Sequence, residues 1–181
     1  FALHSFREAI DVMIQFIKRI NEEYDYEIEG LDLGGGLGIA YVKEEEPPTI
    51  ESFAKLTCTA VKELCAHYGV KEPRIAVEPG RSIAATPGVT LYTVGILKTL
   101  PGIRNIVAID GGMSDNIRTA LYGAEYESVI ANKANQPRTK VVTLVGKHCE
   151  SGDAVAADAS IQNPDLGDIV CMFGTGAYCH S

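Results

Sequence analysis

The chain has 181 residues, of which 46% are apolar and 22% charged, an ordinary globular composition with enough apolar material to bury a core. Sixteen basic side chains against twenty-four acidic ones leave a formal net charge of −8, which argues against nucleic acid or anionic membranes as partners and requires any anionic ligand to be caught locally. No apolar run reaches the ~20 residues of a membrane span, and no charged-then-apolar leader opens the sequence, so a cytoplasmic chain is expected. Five cysteines (Cys58, Cys65, Cys149, Cys171 and Cys179) without a CxxC pair argue for reduced thiols rather than a disulfide framework or a zinc ribbon. Phe1 already leads into a helical pattern, as expected of a fragment.

Ser5 followed by Glu8 has the spacing of a capping box, and Phe6, Ile10, Met13, Ile14 and Ile17 fall on one face, so a helix is expected over residues 5–22. A strand over residues 26–33 then runs into Gly34-Gly35-Gly36-Leu37-Gly38. After an acidic loop with Pro47-Pro48, the residues Phe53, Leu56, Ala60, Val61, Leu64 and Tyr68 mark a second amphipathic helix. Residues 74–77 form another strand, stopped by Glu78-Pro79-Gly80-Arg81. Strand, helix, strand at this separation is a parallel βαβ pattern with both glycine loops at carboxyl strand ends, where α/β folds place ligands. A closed eight-fold barrel needs about 200 residues or more, so residues 1–86 can supply only its last units.

From residue 87 to 181 the texture turns to short β-rich stretches, at 89–97, 106–109, 140–145, 154–157 and 169–173, separated by Gly, Asp and Asn. An all-β second domain is expected there, with the boundary near residues 83–88. The fold class is α/β: the C-terminal part of a (β/α)8 barrel followed by an all-β domain.

Gly34, Gly35, Gly36 and Gly38 remove every Cβ from a turn, so backbone N–H groups can converge on an oxyanion. A flexible strand-to-helix turn accounts for them equally well. The loop lacks the Lys-Ser/Thr of a P-loop and the GxGxxG spacing of a dinucleotide fold, which disfavours a nucleotide. Glu78, Pro79, Gly80 and Arg81 set a carboxylate and a guanidinium at the mouth of the next strand, either as a site for a phosphate and a ring nitrogen or as an ion pair at a turn. Further on, Arg118, Tyr122 and Tyr126 follow a turn-rich stretch at 110–116 and could form a polar wall or aromatic packing. His148, Cys149, Glu150 and Asp153 gather in one stretch, and Tyr178, Cys179 and His180 in another, but no pair has the usual metal-ligand spacing. Lys133 sits in an Ala-x-Lys-Ala-Asn context that looks like a Schiff-base motif, yet its polar surroundings, about a hundred residues after the glycine loop, read as an exposed loop lysine.

GGGLG, EPGRS, DGGMSDNIRTALYGAEY, GKHCESGD and GAYC, in this order, resemble the diaminopimelate decarboxylases, members of the alanine-racemase-fold family of pyridoxal-phosphate enzymes. The resemblance runs through nearly the whole chain, and it implies pyridoxal 5'-phosphate as cofactor and a head-to-tail homodimer with composite active sites. It gives the cofactor phosphate to residues 34–38, Gly36 above all, and to Pro79, Gly80 and Arg81. Glu78 matches the carboxylate facing the pyridine nitrogen, which favours decarboxylation over racemisation. Arg81, Arg118 and Tyr122 match residues that grip the substrate's distal carboxylate, and Glu150 a contact to its distal ammonium. Cys149 matches the proton donor delivered across the dimer interface, and Tyr178 a residue touching both cofactor and substrate. The Schiff-base lysine would lie before Phe1, so the isolated segment is expected to be inactive. Decarboxylation of ornithine or arginine, or a silent cofactor-binding relative, are the alternatives. Arg118 with Cys149-Glu150 disfavours the former and the intact Glu78, Arg81 and Cys149 the latter.

Overall fold

Helix α1 (His4–Tyr24) buries Ile10, Ile14 and Ile17, a stripe at i, i+4 and i+7, in the computed structural model, which describes residues 3–179. The stripe is narrower than the periodicity suggests, since Met13 remains 40% exposed. Nor does Ser5 cap the helix. Leu3 stands at the N-cap with helical dihedrals and accepts the Phe6 N–H through its carbonyl, which leaves Ser5 inside the first turn. Helix α2 (Ile50–Tyr68) is capped as its chemistry requires, with Thr49 Oγ1 accepting the Ser52 N–H at 3.0 Å and Gly69 closing the far end in the left-handed region.

The two helices pack Ile10, Ile14 and Ile17 against Ala60, Val61 and Cys65, and Leu31 and Val70 join the same core. Each buried isoleucine contributes about 1.5–3 kcal/mol of apolar burial, which makes this seam the main support of the first unit. Strands β1 (Gly30–Asp32) and β2 (Arg74–Ala76) pair in parallel with Leu31 opposite Ile75. The strand expected over 26–33 shortens to the three residues that face a partner. Parallel pairing across α2 is the βαβ arrangement, and it sets both following loops at the same end of the pair.

Contacts divide the chain into two compact units, one containing the segment up to Ile39 with Glu46–Ser82, the other Ala40–Glu45 with the segment from Ile83 onward. The short helix α3 (Arg81–Ala84) follows β2. In the second unit, β3 (Val89–Leu100), β4 (Arg104–Ile109), β5 (Ser128–Ile130), β6 (Lys140–Val145), β7 (Ala154–Ile161) and β8 (Ile169–Phe173) form one six-stranded sheet in the order β5-β8-β3-β4-β6-β7. All its neighbours run antiparallel except β4 and β6. Its core gathers Val94, Val107, Ile130, Leu144, Val155 and Met172. The region is β-rich but not purely β, because a short helix α4 (Arg118–Tyr122) and a 3-10 turn (Ala131–Lys133) interrupt it.

Candidate active site

In the first unit, the two glycine-bearing loops are zipped together beyond the ends of their strands. The Leu33 N–H donates to Ala76 O, and the Glu78 N–H donates to Gly34 O at 2.8 Å. A Cβ on Gly35 would lie 2.2 Å from the Glu78 carbonyl oxygen, so only glycine permits this approach. Gly34 and Gly36 adopt φ of 67° and 99° on either side of Gly35, the alternation that turns successive N–H groups into a concave nest. Asp32 Oδ1 accepts the Gly34 N–H at 2.8 Å, an Asx turn that shapes the loop from within. The N–H groups of Gly35, Gly36, Leu37 and Gly38 donate to no acceptor among the described residues. Four unused donors beside a left-handed glycine pair fit a phosphate dianion, and Glu78, exposed at the mouth of β2, fits a protonated ring nitrogen. The residues present therefore fit pyridoxal phosphate.

In the second unit, Arg118 opens α4 and the chain reverses at Gly123, whose φ is 61°, bringing Tyr126 back beside it. Arg118 Nη1 donates to Tyr126 Oη at 2.7 Å. The guanidinium lies 4.8 Å from the Tyr41 ring centre, 5.7 Å from Tyr178 and 5.9 Å from Tyr126, while Tyr41 and Tyr126 meet edge to face at 4.9 Å. Burial works against the Arg118 charge, but Tyr126 and Tyr41 outweigh it and hold its pKa above the ordinary value. The polar wall thus forms from Arg118, Tyr126, Tyr41 and Tyr178. Tyr122, by contrast, stands 74% exposed on α4. Tyr178 has a φ of 64°, a left-handed conformation that costs a non-glycine residue on the order of 1 kcal/mol and so marks a position held by its surroundings. Its neighbour His180 lies outside the described residues.

Cys149 and Glu150 are exposed in the reversal between β6 and β7, and Asp153, which the sequence offers only as one acid of that cluster, organises the reversal. Asp153 is 4% exposed, accepts the Met113 N–H on Oδ1 at 2.6 Å and the His148 N–H on Oδ2 at 2.8 Å. Side chains at Gly112 or Gly146 would strike its oxygens, at 2.6 Å and 2.2 Å. Ser114 Oγ and His148 Nε2, 2.9 Å apart, add a second link between the loop before Arg118 and the one bearing Cys149. Among the described residues, no group of three or more His, Cys, Asp or Glu is arranged to hold a metal ion.

Lys133 is clamped. Its ammonium contacts Asp165 Oδ2 at 2.7 Å, Asp168 Oδ2 at 2.5 Å and the Asn163 carbonyl at 3.1 Å, with only 15% of the side chain exposed. Hydrogen bonds from Lys133 to Asp165 and then Asp168 raise its pKa, opposite to what a nucleophilic amine requires. Lys133 fastens the turn before β8 and is neither a free amine nor the exposed loop lysine its sequence context suggests.

Residues 1–85 match the family model of the pyridoxal-binding domain of pyridoxal-dependent decarboxylases. A diaminopimelate decarboxylase of Bacillus subtilis is 42% identical over 173 residues, which cover 96% of this chain and 39% of that protein. A crystal structure of diaminopimelate decarboxylase from M. jannaschii, in complex with L-lysine, superposes with a TM-score of 0.85 at 32% identity, covering 98% of this chain and 39% of that one. The Helicobacter pylori enzyme, also complexed with L-lysine, matches at 27% identity and a TM-score of 0.82, covering 99% of this chain and 42% of that one. Among the described residues, no helix is long and apolar enough to cross a membrane. With its glycine nest intact and about two-fifths of its relatives' length spanned, the chain belongs to the family of pyridoxal-dependent decarboxylases.

Proposed function

We propose that this chain is the segment of a diaminopimelate decarboxylase that binds cofactor and substrate, and that the complete enzyme converts meso-2,6-diaminopimelate to L-lysine and CO2. The observation that carries the reading is the tyrosine-lined guanidinium of Arg118, a positive charge kept partly out of water and suited to a substrate's second carboxylate. Relatives about 40% identical carry that activity in their names, and two similar structures hold L-lysine, the product that retains the distal carboxylate.

On this reading Gly34, Gly35, Gly36 and Gly38, with Pro79, Gly80 and Arg81, hold the cofactor phosphate, and Glu78 accepts a hydrogen bond from the protonated ring nitrogen. Pyridoxal phosphate supplies the electron withdrawal that lets the carboxylate on the reacting carbon leave as CO2. Arg81, Arg118 and Tyr122 orient the substrate through its far carboxylate, Glu150 holds the far ammonium, and Tyr178 touches both cofactor and substrate. Cys149 Sγ delivers the proton that replaces the departed carboxylate. Residues 1–86 are then the last units of the barrel and residues 87–181 the β-rich domain, in a cytoplasmic homodimer whose sites draw Cys149 from the partner. Five cysteines without a disulfide agree with a reducing compartment. The test incubates the complete, cofactor-loaded enzyme with meso-diaminopimelate and with L-ornithine, measuring CO2 and amine product. Turnover of diaminopimelate with kcat/KM for ornithine at least a hundredfold lower is expected. Equal turnover of ornithine refutes the assignment.

A further inference from the structure

Arg118 has five N–H groups to offer, and the second unit commits part of them before any ligand arrives. The reversal at Gly123, fastened by the Gly123 N–H to Thr119 O and the Ala124 N–H to Arg118 O, returns the chain so that the Tyr126 hydroxyl meets Nη1 at 2.7 Å. Tyr126 is 4% exposed, and its hydroxyl lies 3.8 Å from Cys179 Sγ. Tyr41 is fixed just as firmly. Its N–H donates to Glu45 Oε2 at 2.7 Å, its carbonyl accepts the Glu127 N–H at 3.2 Å, and its ring stands edge to face with Tyr126.

We infer that Tyr126, braced by Tyr41, is a positioning residue that sets the direction of the Arg118 guanidinium and thereby the preference for a substrate with a second carboxylate. The inference rests on the function proposed above and adds the residue that makes Arg118 selective. With Nη1 tied to Tyr126 and aromatic rings ranged about the guanidinium, the N–H groups on the edge away from Tyr126 are the ones left to grip a carboxylate in its plane.

A phenol suits this task better than an acid. Burial, reinforced by Cys179, pushes the Tyr126 hydroxyl up to about 12, so it accepts from Arg118 while carrying no charge of its own. Aspartate or glutamate in its place would make an ion pair and cancel the positive charge that draws the ligand. Tyrosine orients the guanidinium and leaves its charge for the substrate.

The test is Tyr126→Phe in the complete, cofactor-loaded enzyme, a change that removes one oxygen and keeps the ring against Tyr41. Steady-state kinetics are run with meso-diaminopimelate and with D-lysine, which lacks the second carboxylate. Equilibrium binding by calorimetry uses L-lysine, which has the distal carboxylate, and cadaverine, which lacks it. KM for diaminopimelate should rise about tenfold or more with kcat within about twofold, because a hydrogen bond to a charged group is lost from the binding of one substrate end. L-lysine affinity should fall in step, while D-lysine kcat/KM and cadaverine affinity stay at wild-type values. A merely structural role would lower all four together, and that result, or no change in any, overturns the inference while wild-type turnover of diaminopimelate leaves the function reading intact. Absence of wild-type turnover overturns both.

Discussion

Replacing Asp153 should loosen the reversal that carries Cys149 and Glu150, and the structure sets the scale. The carboxylate is 4% exposed and accepts two backbone N–H groups, from Met113 at 2.6 Å and His148 at 2.8 Å. A hydrogen bond to a charged group is worth about 1.5–3 kcal/mol, and a buried donor left without an acceptor costs a similar amount. Asp153→Ala orphans both N–H groups and should destabilise by about 3–5 kcal/mol. Asp153→Asn keeps the shape but offers one oxygen and one NH2, so one backbone N–H faces a donor and the loss should be about 2–3 kcal/mol. Because Gly112 and Gly146 press against these oxygens, the carboxylate has little room to shift and recover the bonds. Urea unfolding of the complete, cofactor-saturated enzyme measures the stability, and kcat for diaminopimelate measures the positioning. A kcat reduced on the order of tenfold in the Asn variant is expected, since small displacements of a reacting group are costly. An Asn variant within about 0.5 kcal/mol of wild type, with kcat intact, would refute the argument that Asp153 holds the loop.

Borohydride reduction of the complete enzyme, followed by peptide mapping, should leave the pyridoxyl group on a lysine outside this segment, and a label on Lys133 would overturn the clamp described for it. The same clamp has a pH signature. Burial pushes the Asp168 carboxyl up, but Lys133, Asn132 and the Asp165 N–H outweigh it and hold it below its ordinary value. Its stabilisation is therefore present above its unfolded pKa of about 4 and lost as pH falls through that value toward the folded one. Lys133, raised, contributes below its unfolded pKa of about 10.4 and loses that contribution only as pH rises through its higher folded value. Unfolding midpoints followed from pH 7 down to 3 should fall less steeply in Asp168→Asn than in wild type, and parallel curves would show that the pair does not couple to folding. Finally, Cys149→Ala chains mixed with chains mutated at the cofactor-bearing lysine should recover about a quarter of wild-type activity after random re-association, if partner subunits share sites. No recovery, with exchange confirmed, places Cys149 in its own chain's site or outside catalysis.

Parts of this fold were legible in the sequence for definable reasons. The apolar stripe of α1, the apolar face of α2 and the spans of β6 and β8 follow from local chemistry, because each residue's role depends on neighbours a few positions away. Strand β5 escaped notice because its three residues, all buried, are too few to show a period. Tyr41 escaped for a different reason: α2, α3 and three strands intervene before Arg118, and only the fold brings the two side chains together. Asp153 could be read as one acid among several, whereas its role rests on two backbone N–H groups from different loops, which no spacing rule encodes.

Lys133 shows how tertiary context decides what a motif does. Ala-x-Lys-Ala-Asn carries the same side chains whether the amine is to attack a carbonyl or to close a turn, and electrostatic surroundings separate the two. An attacking amine must spend time unprotonated, which calls for burial or a nearby cation. Here two carboxylates and a backbone carbonyl converge on Nζ and hold the proton in place. Asn132 completes the clamp by donating to Asp168 and accepting the Ile169 N–H, so the asparagine just before Lys133 is engaged in fastening β8. The Arg118 cage makes the opposite choice with the same currency of charge: the uncharged Tyr126 phenol and aromatic faces hold the guanidinium in place and leave its charge uncancelled. A cation that is neutralised serves the fold, and a cation that is only oriented remains able to bind an anion. The neutral partner at Tyr126 is therefore the feature that separates an arginine still able to meet an anion from a structural lysine in this chain.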